Sequence, residues 1–445
     1  MEMNLFLDSL MKAAKAQGLS AAEAYIASGS SFECKATQGE IVDYSVNDTR
    51  GLGFRGMYKG KIGYAATEAI DESAIDTLIL GVKESAELSE DDSGADIYQG
   101  DKDCAAFAAP EEDTASIQSK LDFCLNLEKK MLAYDKAITS APECIVATGL
   151  GGVRLVNSFG LDISYKKAYA LAYAEPIAKD GDSVSSIGVL QSAAQFSGLN
   201  SDKLVNEAGE AVVFSLHAEP VQSGIYRAIL NNEAMQSLLS AFSGVFSAEN
   251  AQENMSLLND KEGKKIASEA VTLMDDPLLR NGFGSKPFDA EGVKCCTKAV
   301  IENGVLKTLL HNRKTAKKQG VQSTGNAGKA GYAGVIRVSP SNFFFVPGKK
   351  SLKELEKEMG NGIVITDLSG LHSGTNAVSG DFSLLSKGYT VENGKKAEPV
   401  EQITIAGNFY KLLESVKAVG NDLFFPAAGI GSPSVDIGEI SVAGK

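Results

Sequence analysis

Apolar residues recur at Leu5, Phe6, Leu10 and Ala14, the spacing of one helical face, and predict a helix over residues 3–17. The pattern then changes to short extended runs at 24–27, 32–36, 41–47, 51–57 and 61–67. Asp71 is placed to cap a helix running to Leu88, with Ile75, Leu78, Leu80 and Val82 as its apolar positions. Residues 91–112, acidic and punctuated by Gly100 and Pro110, read as a linker. Asp113 opens a predicted helix over 114–134, followed by alternating segments at 143–148, 152–158, 161–174 and 184–198 and a helix over 201–216. Beyond His217 come a strand at 226–230 and a helix at 232–246. Strands are predicted at 294–302, 305–311, 334–339, 343–346, 362–368, 382–392 and 399–405, with helices at 352–359 and 408–419. Asn303-Gly304 and Asn393-Gly394 sit between apolar runs and mark hairpin turns.

The expectation is an α+β chain. An N-terminal α+β unit (1–90), a linker (91–112) and a middle α+β unit (113–218), both units built on antiparallel sheet, precede a β-rich C-terminal unit (219–445) with a few helices. No repeat at solenoid or propeller spacing is visible.

Charge narrows the function classes. With 43 basic and 57 acidic residues the net charge is −14, which opposes direct contact with a nucleic-acid backbone. The first twenty residues carry Glu2, Asp8, Lys12 and Lys15 and no small-residue cleavage site, so no signal peptide is expected. No run approaches the ~18 apolar residues of a membrane span. The six cysteines lack CxxC spacing and are expected as reduced thiols of a cytoplasmic protein.

Gly51-Leu-Gly53-Phe-Arg-Gly56 matches GxGxxG, but alternating strand residues follow it where a dinucleotide site requires a helix. Hairpin glycines are the better account. The histidines, His217, His311 and His372, are far apart, and no HExxH or HExxxH occurs, so no helix turn pairs two imidazoles around a metal. Ser369-Gly-Leu-His372-Ser-Gly374 has serine and histidine close together without GxSxG; turn chemistry is the expectation, not a triad. The basic run Lys314–Lys318 reads as a solvated helix face.

The C-terminal region resembles the TldD/PmbA family. The likeness rests on Asp275-Asp276-Pro277-Leu278-Leu279, on Gly284-Ser285-Lys286-Pro287-Phe288-Asp289-Ala290-Glu291-Gly292, and on Ser323-Thr324-Gly325-Asn326-Ala327. Gly374-Thr375-Asn376, Ser379-Gly380-Asp381-Phe382-Ser383, Ile403-Thr404-Ile405-Ala406-Gly407-Asn408 and Gly420-Asn421-Asp422 follow in family order, and 40–67 is similar to the family's early strands. TldD-type members carry HExxxH on a helix and a later cysteine near a glycine-rich segment; these hold a metal, and the glutamate serves as general base on its water. The resemblance places Ser240, Ala241 and Val245 at the His, Glu and His positions, and the late segment 424–431 has no cysteine.

The resemblance therefore implies a TldE (PmbA)-type chain without a complete catalytic site. It implies a soluble heterodimer with a TldD-type subunit that carries a zinc-like metal, no cofactor on this chain, and an unfolded peptide as the common substrate. Asp289, Glu291, Asn326, His372, Asn376 and Asp381 are its candidate peptide- or partner-binding residues, and loops 323–334 and 369–383 are candidate sources of backbone donors for an added strand. Two alternatives stand beside this: a homodimeric binding protein of the gyrase-modulator kind, and a hydrolase whose site gathers Asp289, Glu291, His311 or His372.

Overall fold

In the computed structural model the described residues are 2–89, 95–101, 103, 104, 110 and 113–445, so the expected linker 91–112 lies partly outside them. The chain opens with helix α1 (Met3–Ala16), then three strands, β1 (Ala21–Thr37), β2 (Glu40–Tyr58) and β3 (Lys61–Thr67). Two pairs of short predicted strands thus merge into single long ones. Helix α2 (Glu72–Leu88) begins where expected, because the Asp71 carboxylate accepts the Ser73 and Ala74 N–H groups.

Helix α3 (Ile117–Tyr134) starts later than predicted. Ser116 caps it by accepting the Ser119 N–H, while Asp113 accepts the Ala115 N–H and pairs with Lys120 at 2.8 Å. Next come β4 (Ile138–Asn157), β5 (Asp162–Asp180), β6 (Ser183–Ser186), β7 (Val189–Ala193) and helix α4 (Ser201–Phe214).

These strands form one seven-stranded antiparallel sheet, ordered β3-β2-β1-β4-β5-β6 with β7 also on β5. β1 joins its two halves, paired with β4 from Glu23↔Asn157 to Ala36↔Cys144. Side chains alternate along a strand, so the even-numbered positions of β1 share a face. Ala22, Ala24 and Ile26 bury against α1 and α2, and Phe32, Cys34 and Ala36 against α3 and α4, so both helix pairs lie on the same side. The odd face, with Glu23 and Tyr25, turns toward the C-terminal unit. Only Leu52–Tyr58 of β2 pairs with β3, and the outer edge of residues 40–51 has no strand partner among the described residues.

The C-terminal unit runs β8 (Gly224–Leu230), α5 (Asn232–Phe242), α6 (Ala248–Gln252), β9 (Leu273–Asp275), β10 (Lys298–Glu302), β11 (Val305–Leu306), α7 (Arg313–Gln319), β12 (Ala327–Lys329), β13 (Ile336–Val338) and β14 (Phe343–Phe345). It continues with α8 (Leu352–Met359), β15 (Gly362–Ser369), α9 (Leu371–Gly374), β16 (Asp381–Glu392), β17 (Lys395–Asn408), α10 (Phe409–Ser415), β18 (Ala418–Val419), β19 (Ile430–Gly431) and β20 (Val435–Ala443). A six-stranded sheet, β17-β16-β15-β8-β20-β18, closes on itself because β17 also pairs with β20. A five-stranded sheet, β11-β10-β9-β14-β19, adjoins it. Alternation again sorts the layers: Ile363 and Ile365 of β15 face the core containing α5, and Val364 faces α8. The Asn303-Gly304 and Asn393-Gly394 turns form as predicted, with positive φ at all four residues. Among the described residues no helix is long and apolar enough to cross a membrane.

The GxGxxG glycines are not at a turn; Gly51 and Gly53 lie inside β2, where a Cβ would overlap Tyr332. Their small size lets the loop after β12 approach the sheet backbone, and the Tyr332 hydroxyl donates to Glu68 at 2.6 Å. Gly53→Val is expected to lower stability by about 1–3 kcal/mol through overpacking. The measurement is the urea-unfolding midpoint; an unchanged midpoint would mean that this loop does not press on the sheet.

Candidate functional site

The helix carrying Ser240 begins at Asn231, whose side chain accepts the Ala234 N–H at 2.8 Å. Its inward face of Ala234, Met235, Leu238, Leu239 and Phe242 is buried, and Phe242 stacks on Phe409 with ring centroids 4.6 Å apart. The α-helix ends at Phe242 and tightens into a 3-10 turn, Ser243–Phe246, short of the predicted end of continuous helix. Ser240 is exposed, Ala241 half-buried and Val245 in the core. Ser240 and Ala241 line a cavity of about 350 Å³ with His372 and Thr375, so the fold brings both to a histidine far away in sequence.

Helix α5 also packs against β19, which lies in the late glycine-rich segment. The two segments are therefore neighbours. The side chains on them do not suit a metal: alanine and valine offer no lone pair, Val245 is turned into apolar core, and a neutral serine hydroxyl is a poor ligand. Among the described residues no group of three or more His, Cys, Asp or Glu side chains gathers to hold an ion.

The loop after β15 is built by its own polar groups. Asn376 Oδ1 accepts the Val378 and Ser379 N–H groups at 3.0 and 3.1 Å, and the Asn376 N–H donates to Asp381 O. Asp381 Oδ1 accepts from Asn408 Nδ2 at 2.8 Å. Ser369 Oγ donates to Asp367, and no bond links it to His372, so the structure offers no triad there.

Asp289, Glu291 and Asn326 lie elsewhere, buried where the C-terminal unit meets the seven-stranded sheet. Asp289 accepts N–H groups from Glu291, Val293 and Ala327 at 2.9, 3.0 and 3.0 Å. Glu291 accepts the Arg313 N–H at 2.8 Å and lies 3.9 Å from Arg55 Nη1, while Arg55 Nε donates to Glu23 at 2.6 Å. A buried chain of ionisable groups, Glu23–Arg55–Glu291, thus ties the sheet to the C-terminal unit. Burial is the main cause that raises Glu291, to about 7, with Asp289 adding repulsion and Arg55 opposing. Asn326 donates to Asp275 at 2.8 Å and to the Ser339 carbonyl at 3.1 Å, and Lys298 pairs with Asp275 at 2.9 Å.

Sequence reasoning did not single out Glu23, Arg55 or Lys298. Each sits in a strand, Arg55 inside the GxGxxG match where only the glycines drew notice, and its partners are distant in sequence. Of the remaining histidines, His217 meets Asp180 at 3.0 Å on the surface. His311 is buried, with Nδ1 3.2 Å from Thr315 Oγ1 and Nε2 without a hydrogen-bond partner, and burial pushes its pKa down.

A chain with this sheet, this strand ring and these joined segments matches three domain descriptions: PmbA/TldA metallopeptidase domain 1 over residues 22–88, central domain over 110–216 and C-terminal domain over 223–444. The chain belongs to the PmbA/TldD family of metallopeptidases. A curated relative, the Metalloprotease PmbA homolog of Haemophilus influenzae, is 28% identical over 404 residues, covering 89% of this chain and 86% of that one. A solved structure from Thermotoga maritima, described as a candidate modulator of a DNA gyrase, superposes with a TM-score of 0.92 at 31% identity, covering 99% of this chain and 100% of that one. TldE from Thermococcus kodakarensis shares the fold, with a TM-score of 0.89, 22% identity and coverage of 99% and 100%.

Because folding raises the Glu291 pKa, its neutral form is favoured in the native state; that stability is complete below about 4.5 and is lost as pH rises through about 7. The difference in unfolding free energy between wild type and Glu291→Gln is therefore expected to move against wild type across this window and level off above it. A flat difference from pH 4 to pH 8, on the order of that window, would show that Glu291 titrates as a solvated side chain.

Proposed function

We propose that this chain is the metal-free partner subunit of a TldD/TldE-type metallopeptidase of the cytoplasm, and that it helps to bind and enclose unfolded peptides for proteolysis or leader-peptide processing. One observation carries the reading: a family fold spans the chain, yet Ser240, Ala241 and Val245 stand at the end of α5 where HExxxH is expected. In this reading the metal belongs to the TldD-type partner, which polarises the hydrolytic water, and this chain supplies walls and backbone donors.

The outer edge of β2, without a strand partner among the described residues, supports a role in assembly or peptide capture. Val42, Tyr44 and Val46 are 53%, 57% and 56% exposed there, beside backbone groups that an added strand can bond. The cavity holding Ser240, Ala241, His372 and Thr375 supports a polar wall in place of a metal centre.

The test mixes this chain with an HExxxH-bearing family member and follows cleavage of an unstructured peptide. The mixture is expected to exceed the HExxxH subunit alone by about tenfold or more, a barrier difference of about 1.4 kcal/mol. Full activity of that subunit by itself, or peptide cleavage by this chain purified with tightly held zinc, would overturn the reading.

A further inference from the structure

A cavity of about 260 Å³ opens between the odd face of the seven-stranded sheet and the C-terminal unit. Lys167 of β5, Lys286 of the loop before Asp289 and Lys329 of β12 all line it, with Tyr25, Tyr165 and Phe288 supplying aromatic wall. In a chain with more acidic than basic residues, lysines elsewhere commonly find carboxylates, as Lys298, Lys350 and Lys130 do at 2.9, 2.6 and 2.6 Å. Among the described residues, these three form no ion pair. Lys167 donates to the Phe283 carbonyl at 2.8 Å, Lys286 to the Ala327 carbonyl at 3.4 Å, and Lys329 lies 4.9 Å from the centre of the Tyr25 ring.

The acid lining the same cavity, Asp289, is already bonded by three backbone N–H groups. The cavity lining therefore carries three ammonium groups against one carboxylate: Lys286 repels Lys167 and attracts Asp289, and Lys329 lies within reach of Arg55 and Glu23. Lys167 is pushed below its ordinary pKa by burial and by Lys286, and Lys329 is pushed down to about 8 by burial and by Arg55.

We propose that this cavity binds a small organic or inorganic anion through Lys167, Lys286 and Lys329, the ligand carrying a carboxylate or a phosphate. Charge-assisted bonds from ammonium groups are stronger than neutral ones, and the partial exclusion of water increases their effect. The aromatic wall suits an apolar stem beside the charge. The size of the cavity fits a terminal residue or a small metabolite, not a folded segment. This site is separate from the end of α5 and stands whether or not the subunit reading holds.

Isothermal titration calorimetry of the full chain, with inorganic phosphate, with N-acetyl-trialanine bearing a free carboxylate, and with the amide of that peptide, tests it. Saturable binding of phosphate, of the carboxylate peptide, or of both is expected, with the amide inert; which probe binds identifies the source of the anion. Lys286→Gln/Lys329→Gln is expected to weaken binding by about tenfold or more, and Lys318→Gln, on the exposed face of α7, to leave it unchanged. Thermal unfolding of the double variant checks that it folds; should it fail to fold, Lys167→Gln replaces it. No saturable heat from either anion, equal binding of the amide, or undiminished binding by the lysine variant would overturn the proposal.

Discussion

The pairing of β1 with β4 is the constraint on which the rest of this molecule depends. Backbone groups taken from water must find partners, and β1 meets that requirement by bonding β2 on one side and β4 on the other along most of its length. With β1 fixed, its alternation decides the layers. Even positions receive both helix pairs, and odd positions are left for the C-terminal unit. The Glu23–Arg55–Glu291 chain then lies across that second boundary, where a charge without its partner is strongly destabilising.

Much of this architecture was legible in the sequence. Asp71 announced its helix because an N-cap is a local device, and Asn303-Gly304 and Asn393-Gly394 announced their hairpins because few residues other than glycine and asparagine accept positive φ. What was not legible depends on distant partners. The runs at 24–27 and 32–36 were read as separate strands because Ser28–Ser31 between them is polar; in the fold that stretch remains strand because β2 and β4 bond it on both sides. Strand β20 was missed because its alternation changes phase at Gly438, between Val435/Ile437 and Ile440/Val442; its register comes from β8 and β17. The predicted strands at 294–302 and 305–311 shortened for the converse reason, since their apolar residues fill the core from loops as well as from ladders.

The candidate site shows a similar division. The absence of HExxxH is visible in the sequence itself, whereas only the fold places Ser240 and Ala241 beside His372 and turns Val245 inward. Asp289, Glu291 and Asn326 stood out for their family-like surroundings, and the structure gives each of them hydrogen bonds deep inside the junction. Membership of the PmbA/TldD family describes the scaffold; what chemistry a member performs is decided by the side chains its site carries.

The ring of strands has a consequence for synthesis. β8 is the first strand of the C-terminal unit and β20 the last, yet they lie side by side, with Gly224 opposite Val442. As the polypeptide leaves the ribosome, the seven-stranded sheet has all its strands before β8 emerges, whereas the ring must wait, one edge unzipped, until its final strand arrives. The nascent protein therefore matures in two stages, and the interval between them is when chaperones have the most exposed sheet edge to shield.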